Sequence, residues 1–540
     1  MTQTQDFILR TEDIKPEAIL ELFVPIQRDR DLVEKLKSPS PIIIEGSRGT
    51  GKSLLLRVSE QEQLQRLHID GVLPVYVSFA KSSLLNTSDP QQFQHWMLAS
   101  LCSRIVRAIA QSGLAASPTQ AVQILSGGES EKPGEKTKLE ILAEQFESSY
   151  KTKGVAIDPS VVPTVEKFKD AIEDICRSLK LTRFNVLFDE AAHIFRPEQQ
   201  RQFFTLFRDL RSPYMTCNAA VYPGVTAYGD SFESSHDAQM QSLQRDVTSP
   251  EYVGQMREIV FRQADSVLQE TILRQGNVFA ALAYAVSGNP RILLKTLALT
   301  QEINTREVDR VIKEFFRDAI WAEHSGLAER YPGHKGLIDW GRTFVEQQVI
   351  PQMLSRNDAW KVEGRSERTS FFWIHRDAPE AVKEGLRLLM YTGIISRLDT
   401  GVVATRGEVG TRYVVNIGCV ASPTPNPITF ISDLRAGLTV KRFVEFGANY
   451  GTFAEIAKIV GDKIEADISL VLDELLQRSV SVLDISDHQK RALASINIRT
   501  LGVALASTEH DFMKANYIGP KRSRRIMNVV TSAVIEYLSG

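Results

Sequence analysis

The chain has 540 residues, 64 Lys plus Arg against 66 Asp plus Glu, and a net charge of −2, with 43% hydrophobic residues. At that length a single hydrophobic core is excluded and about three or four domains are expected. The charge balance excludes a chain that is basic throughout, so any nucleic-acid contact must come from a local patch. Cys102, Cys176, Cys217 and Cys419 lie far apart without a CxxC pair, which argues against a zinc ribbon or a disulfide framework and fits buried thiols in a reducing compartment. The opening MTQTQDFILR has no basic segment followed by an apolar one, and no run approaches about 18 apolar residues, so a cytoplasmic protein with no membrane span is expected.

Residues 1–40 read as a lead-in, with a helical pattern at Arg30 to Leu36. Pro41 to Glu45 is a buried-strand signal that runs into Gly46-Ser47-Arg48-Gly49-Thr50-Gly51-Lys52-Ser53 and then into the helical Leu54-Leu55-Leu56. This is a complete phosphate-binding loop. The glycines let backbone N–H groups wrap an anion at the positive end of the following helix. Lys52 is placed to meet the β and γ phosphates of ATP, and the Ser53 hydroxyl to ligate Mg²⁺. The bland alternative is an ordinary glycine turn between strand and helix.

Val72 to Phe79 reads as a second strand and Gln91 to Ala110 as a helix, the alternation of a parallel sheet. Ser117 to Lys136 is polar and rich in Gly and Pro and reads as an exposed loop. Arg183 to Phe188 is an apolar strand ending in Asp189-Glu190. Beside a phosphate loop, Asp189 belongs in the Mg²⁺ shell and Glu190 is the group to polarise a water; alone, the pair is a solvated strand end. After a helix at Gln199 to Leu210, Tyr214 to Val221 reads as a further strand. Asn218, with Thr216 second, is the candidate polar residue there to sense the γ-phosphate, against simple core duty. Residues 225–247 are polar and irregular. Gly288-Asn289-Pro290-Arg291 is a turn that opens a helix and places Arg291 in its first turn.

Together these three motifs resemble the AAA+ ATPases of the origin-recognition-complex type and their relatives among prokaryotic signalling NTPases, over about residues 20–320. The resemblance implies an α/β P-loop NTPase with a parallel sheet and helical lid. It implies ATP and Mg²⁺ roles for Lys52, Ser53 and Asp189, a water role for Glu190 and a sensor role for Arg291, with Asn218 on a strand between the two motif strands. The chain departs from the family in lacking a Ser-Arg-Phe element for an arginine finger; Arg245 is a weak substitute.

Beyond Tyr331 the nucleotide motifs stop. A helix entered through Pro379 and two strands at Ile394 to Leu398 and Thr411 to Ile417 resemble a winged-helix domain, able to contact DNA or only to pack. Ala421 to Pro427 reads as a proline-stiffened linker, and Arg442 to Gln477 as helical. Tyr517-Ile518-Gly519-Pro520-Lys521-Arg522-Ser523-Arg524-Arg525 resembles the hairpin of helix-hairpin-helix domains, including the RNA polymerase α C-terminal domain. Gly519 is expected to make the tight turn, and Lys521, Arg522, Arg524 and Arg525 to meet DNA phosphates with little sequence preference; a protein-docking basic helix is the alternative.

The expected domains are a nucleotide-binding domain at 1–260, a lid at 261–330, a winged helix at 331–420, a helical connector at 428–482 and an all-α helix-hairpin-helix domain at 483–540. The leading functional expectation is an ATP-driven, DNA-associated switch. The alternatives are a signalling ATPase of a prokaryotic defence or stress system, antiviral for example, that gates a partner effector, and an interaction scaffold with structural nucleotide; a homo-oligomer or an effector protein is the expected protein partner.

Overall fold

A computed structural model describes residues 7–79, 90–114, 119–128, 136–148, 157–191, 197–223, 236–330, 334–456, 476–483 and 485–538, with a few isolated positions between 224 and 235. The chain forms two compact units, residues 1–308 and 309–540.

The first unit is built on a five-stranded sheet of β1 (Ile42–Glu45), β2 (Val72–Ser78), β3 (Arg183–Asp189), β4 (Met215–Val221) and β5 (Gln239–Ser242). The order is β2-β3-β4-β1-β5 and the neighbouring strands pair in parallel. Parallel strands buried on both faces need continuous apolar runs, and β1, β3 and β4 supply them. Alternation splits β1 between two cores. Ile42 and Ile44 pack with Leu32, Val33 and Leu36 of α1 (Gln27–Leu36) and with Leu55, Leu56 and Val58 of α2 (Lys52–Gln65). Ile43 faces the opposite core of Phe79, Phe93, Trp96, Phe188 and Phe203. The strand β4 lies between the two motif strands, as the resemblance implied, so the carboxyl ends of β1, β3 and β4 share one edge.

Two departures from the sequence reading have local causes. The strand β5, Gln-Met-Gln-Ser, is mostly exposed at the sheet edge and carries no apolar signal, so periodicity does not reveal it. Part of the expected loop at 117–136 is a helix, Gln120–Ser126, which buries Ala121 and Leu125; residues 129–135 lie outside the described part.

Asn218 is a correction. It sits in the middle of β4, fully buried, and every polar atom of its side chain is used within the sheet or against α1. Its Oδ1 accepts Ile42 N–H at 2.9 Å, and its Nδ2 donates to Asn185 Oδ1 at 2.7 Å and to Leu36 C=O at 3.2 Å. Asn185 Nδ2 donates in turn to Leu36 C=O and Gln63 Oε1. Thr216, the second candidate, donates to Pro39 C=O at 3.3 Å. Asn218 ties α1 to the sheet, Thr216 ties down the connection from α1 to β1, and neither reaches the carboxyl edge.

The second unit contains a sheet of β6 (Phe371–His375), β7 (Ile395–Val403), β8 (Val409–Val415) and β9 (Val444–Phe446), in the order β7-β8-β6-β9. The β7–β8 hairpin is the expected wing. The helix before it, Glu380–Thr392, has no exposed residue and is capped by Gly393 in the left-handed conformation. It crosses the helix Lys335–Phe344 so closely that a Cβ on Gly385 would stand 3.0 Å from the Trp340 ring. Of the two expectations for this domain, DNA contact or packing, that burial favours packing for this helix. The proline stretch is likewise packed. Pro425 C=O accepts from Lys313 Nζ at 2.6 Å, Ile428 N–H donates to Asp309 Oδ1, and the stretch joins the helices Ile417–Ala421 and Pro427–Gly437. Of the expected helical region at 442–477, residues 457–475 lie outside the described part and 444–446 are β9.

The C-terminal residues carry their own core of Leu483, Ile485, Leu493, Leu501, Phe512, Ile518, Ile526 and Val530. Capping boxes at Ser486/Gln489 and Thr508/Asp511 fix two helix starts within it.

Replacing Asn218 by Ala should lower stability by about 1–3 kcal/mol, because Ile42 N–H and the Asn185 amide lose buried partners. Nucleotide affinity should stay at the wild-type value. Denaturant unfolding and equilibrium binding check the two halves separately.

Candidate nucleotide site and basic hairpin

Gly49 and Gly51 adopt φ of 88° and 104°, left-handed conformations that a side chain resists, and they turn the loop before α2 begins at Lys52. Gly49 is needed twice over. A Cβ there would meet Asn289 Oδ1 at 2.7 Å and Arg291 Cβ at 2.8 Å. The Gly288-Asn289-Pro290-Arg291 turn is therefore seated directly on the phosphate loop. Asn289 Nδ2 donates to Arg48 C=O at 2.8 Å, Arg291 N–H donates to Gly49 C=O at 3.4 Å, and Asn289 Oδ1 caps the helix Pro290–Ala298.

Lys52 is buried, and its Nζ donates to Gly46 C=O at 2.6 Å and Ser47 C=O at 3.0 Å. Burial is the main cause that pulls its pKa down to about 7, with Arg291 and Arg48 adding to the effect against the pull of Asp189 and Glu190. The carboxylates face it from β3. Asp189 Oδ2 accepts from Tyr76 Oη at 2.5 Å and its Oδ1 from Glu190 N–H at 2.9 Å. Glu190 takes φ of 55°, a left-handed conformation unusual for a side-chain-bearing residue and found where strain serves a site. Burial, then the neighbouring Asp189 and Glu12, raises its carboxyl to about 7.

These groups line one cavity of about 250 Å³ with Arg48, Gly49, Gly51, Lys52, Ser53, Asp189, Glu190 and Arg291 on its wall. Gly46, Ser47 and Thr50 form the loop behind it; Thr50 Oγ1 donates to Ser47 C=O at 2.9 Å. The cavity fits a magnesium nucleotide by the chemistry of its donors: a desolvated ammonium and a guanidinium for phosphate, and a hydroxyl and a carboxylate for a hard cation.

Three contributors escape the sequence reading. Tyr222, directly after β4, holds its ring 4.1 Å from Lys52 Nζ and occupies the wall position for which Asn218 is the sequence candidate. The two lie four positions apart, roughly 13 Å of strand. Tyr76 on β2 braces Asp189, and the Arg57 guanidinium lies 3.4 Å over its ring. Residues Ile8 to Ile14 complete the cavity, where Leu9 C=O accepts from Arg291 Nε at 3.0 Å. Tyr222 ends its strand at the carboxyl edge, and that position is the one signal that could have found it; Tyr76 lies in the row of Leu187 and Asn218, and it is the length of its side chain that carries the hydroxyl to Asp189.

Arg245 is corrected as an arginine finger. Its side chain is buried, donates to Asp29 Oδ2 at 2.8 Å and to Thr50 C=O at 3.1 Å, and so buckles α1 to the phosphate loop of its own chain.

In the second unit the expected basic hairpin runs from the short helix Glu509–Phe512 into the helix Pro520–Leu538. Its left-handed residue is Tyr517, φ 63°, and Gly519 has an ordinary φ with nothing within 4 Å of a Cβ built on it. The expected reason for Gly519 is thus corrected: the turn is made two residues earlier. Arg522 Nη1 donates to Tyr517 C=O at 2.7 Å, and Arg524 Nε reaches Glu509 Oε1 at 3.3 Å. Lys521 and Arg525 are exposed and, with Arg524, line a cleft of about 760 Å³ whose other wall holds Arg376, Asp377, Glu380 and Lys383.

Among the described residues no helix is long and apolar enough to cross a membrane.

Residues 8–236 match the family model described as ORC-CDC6-like. No curated protein sequence matches the chain. Among solved structures, the Aeropyrum pernix ORC1 protein in complex with DNA is 15% identical, with 78% of this chain and 96% of that chain covered at a TM-score of 0.34. The Aeropyrum pernix ORC2 protein in ADPNP–ADP complexes is 12% identical, with 79% and 96% covered at a TM-score of 0.33.

Phosphate entering the cavity should restore the charge on Lys52. At pH 8 the amine, with its pKa near 7, is largely neutral, and a phosphate beside it raises that pKa, so binding takes up a proton; Glu190 shifts in the same direction. Uptake should approach about one proton per ATP at pH 8 and fall towards zero by pH 6, where both groups already hold theirs. Calorimetry in buffers of different ionisation enthalpy measures it. No uptake at pH 8 would mean that Lys52 is charged in the free loop.

Proposed function

On the premise that residues 8–236 form an ORC-CDC6-like AAA+ P-loop unit, we propose that the protein is an ATP-binding and ATP-hydrolysing switch that associates with DNA through its C-terminal hairpin. The observation that carries the first half is the seating of the Asn289–Arg291 turn on Gly49. A triphosphate held by the loop meets the Arg291 guanidinium at once, and Arg291 then exchanges its bond to Leu9 C=O for one to the γ-phosphate. The charge of the terminal phosphate is so converted into a movement of the N-terminal segment and of the helix that carries Arg291.

Lys52 leaves the carbonyls of Gly46 and Ser47 to meet the β and γ phosphates. Bound Mg²⁺, held by Ser53 and Asp189, would withdraw charge from the phosphate oxygens. Tyr76 keeps the Asp189 carboxylate aimed at the cavity, and the Tyr222 ring holds the Lys52 ammonium against the loop. Glu190 stands at the cavity wall to accept a proton from the attacking water. Its raised pKa makes it a better base once ionised than an ordinary carboxylate. The sign follows: hydrolysis gains as pH rises through the Glu190 pKa, which is about 7 in the empty cavity and is raised further by bound phosphate.

For the second half, Lys521, Arg522 and Arg525 are exposed cations on one short hairpin of a chain whose overall charge is slightly negative. Such a patch binds phosphates by counterion release and reads little sequence.

Glu190→Gln should leave ATP affinity within a few-fold of wild type and lower the hydrolysis rate by about 10²- to 10⁴-fold, since the amide keeps the size but accepts no proton. The acid limb set by Glu190 should vanish with it. Single-turnover hydrolysis with equilibrium ATP binding measures both. An unchanged rate would leave a site that holds nucleotide without turning it over through Glu190.

A further inference from the structure

The hairpin holds a feature that phosphate contact leaves unused. Tyr517 is 80% exposed, the most exposed aromatic ring among the described residues' large hydrophobics, and its backbone is held at φ 63°. Glycine or asparagine is the ordinary occupant of such a turn. A bulky ring there costs backbone strain and gives up water-shielded burial, so neither turn formation nor core packing explains it. The conformation is secured from behind, where Arg522 Nη1 donates to Tyr517 C=O at 2.7 Å while the adjoining Ile518 is buried in the C-terminal core. The side chain is thereby projected from a rigid base.

Its surroundings are cationic and aromatic. Residues 513–528 contain Lys514, Lys521, Arg522, Arg524 and Arg525 and no carboxylate; Lys514 pairs with Asp511 and Arg524 with Glu509 of the preceding helix, which leaves Lys521, Arg522 and Arg525 outside these ion pairs. The exposed His488 ring lies beside Tyr517, centroids 5.9 Å apart and inclined at 69°, so the two rings form an open corner.

We propose that Tyr517 is a base-stacking residue and that the hairpin binds nucleic acid with unpaired bases, a single strand in preference to a duplex. The charge selects a polyanion, and the exposed ring selects a flat partner with a free face. In a duplex the base faces are buried in the stack, whereas in a single strand each is offered, and a protein ring beside a positive groove is the arrangement that accepts it. Lys521, Arg522 and Arg525 hold the phosphates, and Tyr517 takes one base against its ring with His488 at the edge. This inference rests on the DNA-associated reading and specifies its substrate.

The test uses the full-length protein, a fluorescent strand of roughly twelve thymidines, and a mixed-sequence duplex of the same length. Tyr517→Gly removes the ring while making the left-handed turn easier, so the variant should melt no earlier than wild type. Tyr517→Phe keeps the ring. The expected result is single-strand binding weaker by about 5- to 150-fold in Tyr517→Gly, near wild type in Tyr517→Phe, and duplex binding within about twofold in both. Stacking releases no counterions, so the salt slope of Tyr517→Gly should equal the wild-type slope. Alanine at Lys521, Arg522, Arg524 and Arg525 should flatten it by about 0.7 for each phosphate of a single strand that is no longer neutralised. Wild-type single-strand affinity in Tyr517→Gly, an equal loss on strand and duplex, or failure of Tyr517→Phe to retain binding would each overturn the stacking role while leaving DNA association standing. A wild-type protein that binds neither strand nor duplex would instead overturn the DNA-associated reading itself.

Discussion

The nucleotide unit depends on the absence of one side chain. Gly49 turns the phosphate loop through a left-handed conformation and, by lacking a Cβ, lets Asn289 and Arg291 sit against it at distances that would otherwise clash. That contact joins a loop built to hold anions to a helix that begins at Pro290. Around it the other elements are tied in. Arg245 bonds both Asp29 and Thr50 C=O, and Leu9 C=O holds the Arg291 side chain. A phosphate at the loop competes with bonds that these groups already make, and such competition is the means by which a ligand shifts an equilibrium between arrangements.

Much of this site is legible in the amino-acid sequence. The glycine spacing at residues 46–53 has few other physical uses, and an apolar strand ending in two carboxylates acquires meaning once a phosphate loop precedes it. The Gly-Asn-Pro-Arg turn marks a capped helix start whose first turn bears a cation. The expectations that fail do so for identifiable reasons. A polar residue inside an apolar strand is equally the mark of a ligand sensor and of a buried tie between layers. Asn218 is the tie because Asn185, on the neighbouring strand, shares with it the carbonyl of Leu36, a pairing that only the register reveals. Tyr222 and Tyr76 are easily passed over because an aromatic in a strand is ordinarily core; Tyr222 matters because it lies at the carboxyl edge, and Tyr76 because its long side chain reaches Asp189 from the row of Asn218. The strand β5 has no apolar face and leaves no periodic signal at all.

In the second unit the wing is legible from turn residues and alternation. The burial of the helix Glu380–Thr392 is not, since its sequence has the same amphipathic look as a surface helix. Its Lys383 and Arg387 are half-covered and paired with Glu380 and Glu384. On the C-terminal hairpin, by contrast, Lys521, Arg522 and Arg525 are exposed. There the glycine draws attention away from the residue under strain. Gly519 permits a bend that the chain does not make, and Tyr517 makes one that tyrosine seldom adopts.

The central claim is that Arg291 reads the third phosphate through its seat on the loop, and the direct measurement is the ATP and ADP affinity of Arg291→Ala by equilibrium titration. The expected result is that ATP affinity falls about 10- to 100-fold, the worth of a charge-assisted hydrogen bond, while ADP affinity stays within about threefold. An equal loss for both nucleotides would contradict it and make Arg291 a packing residue of the loop.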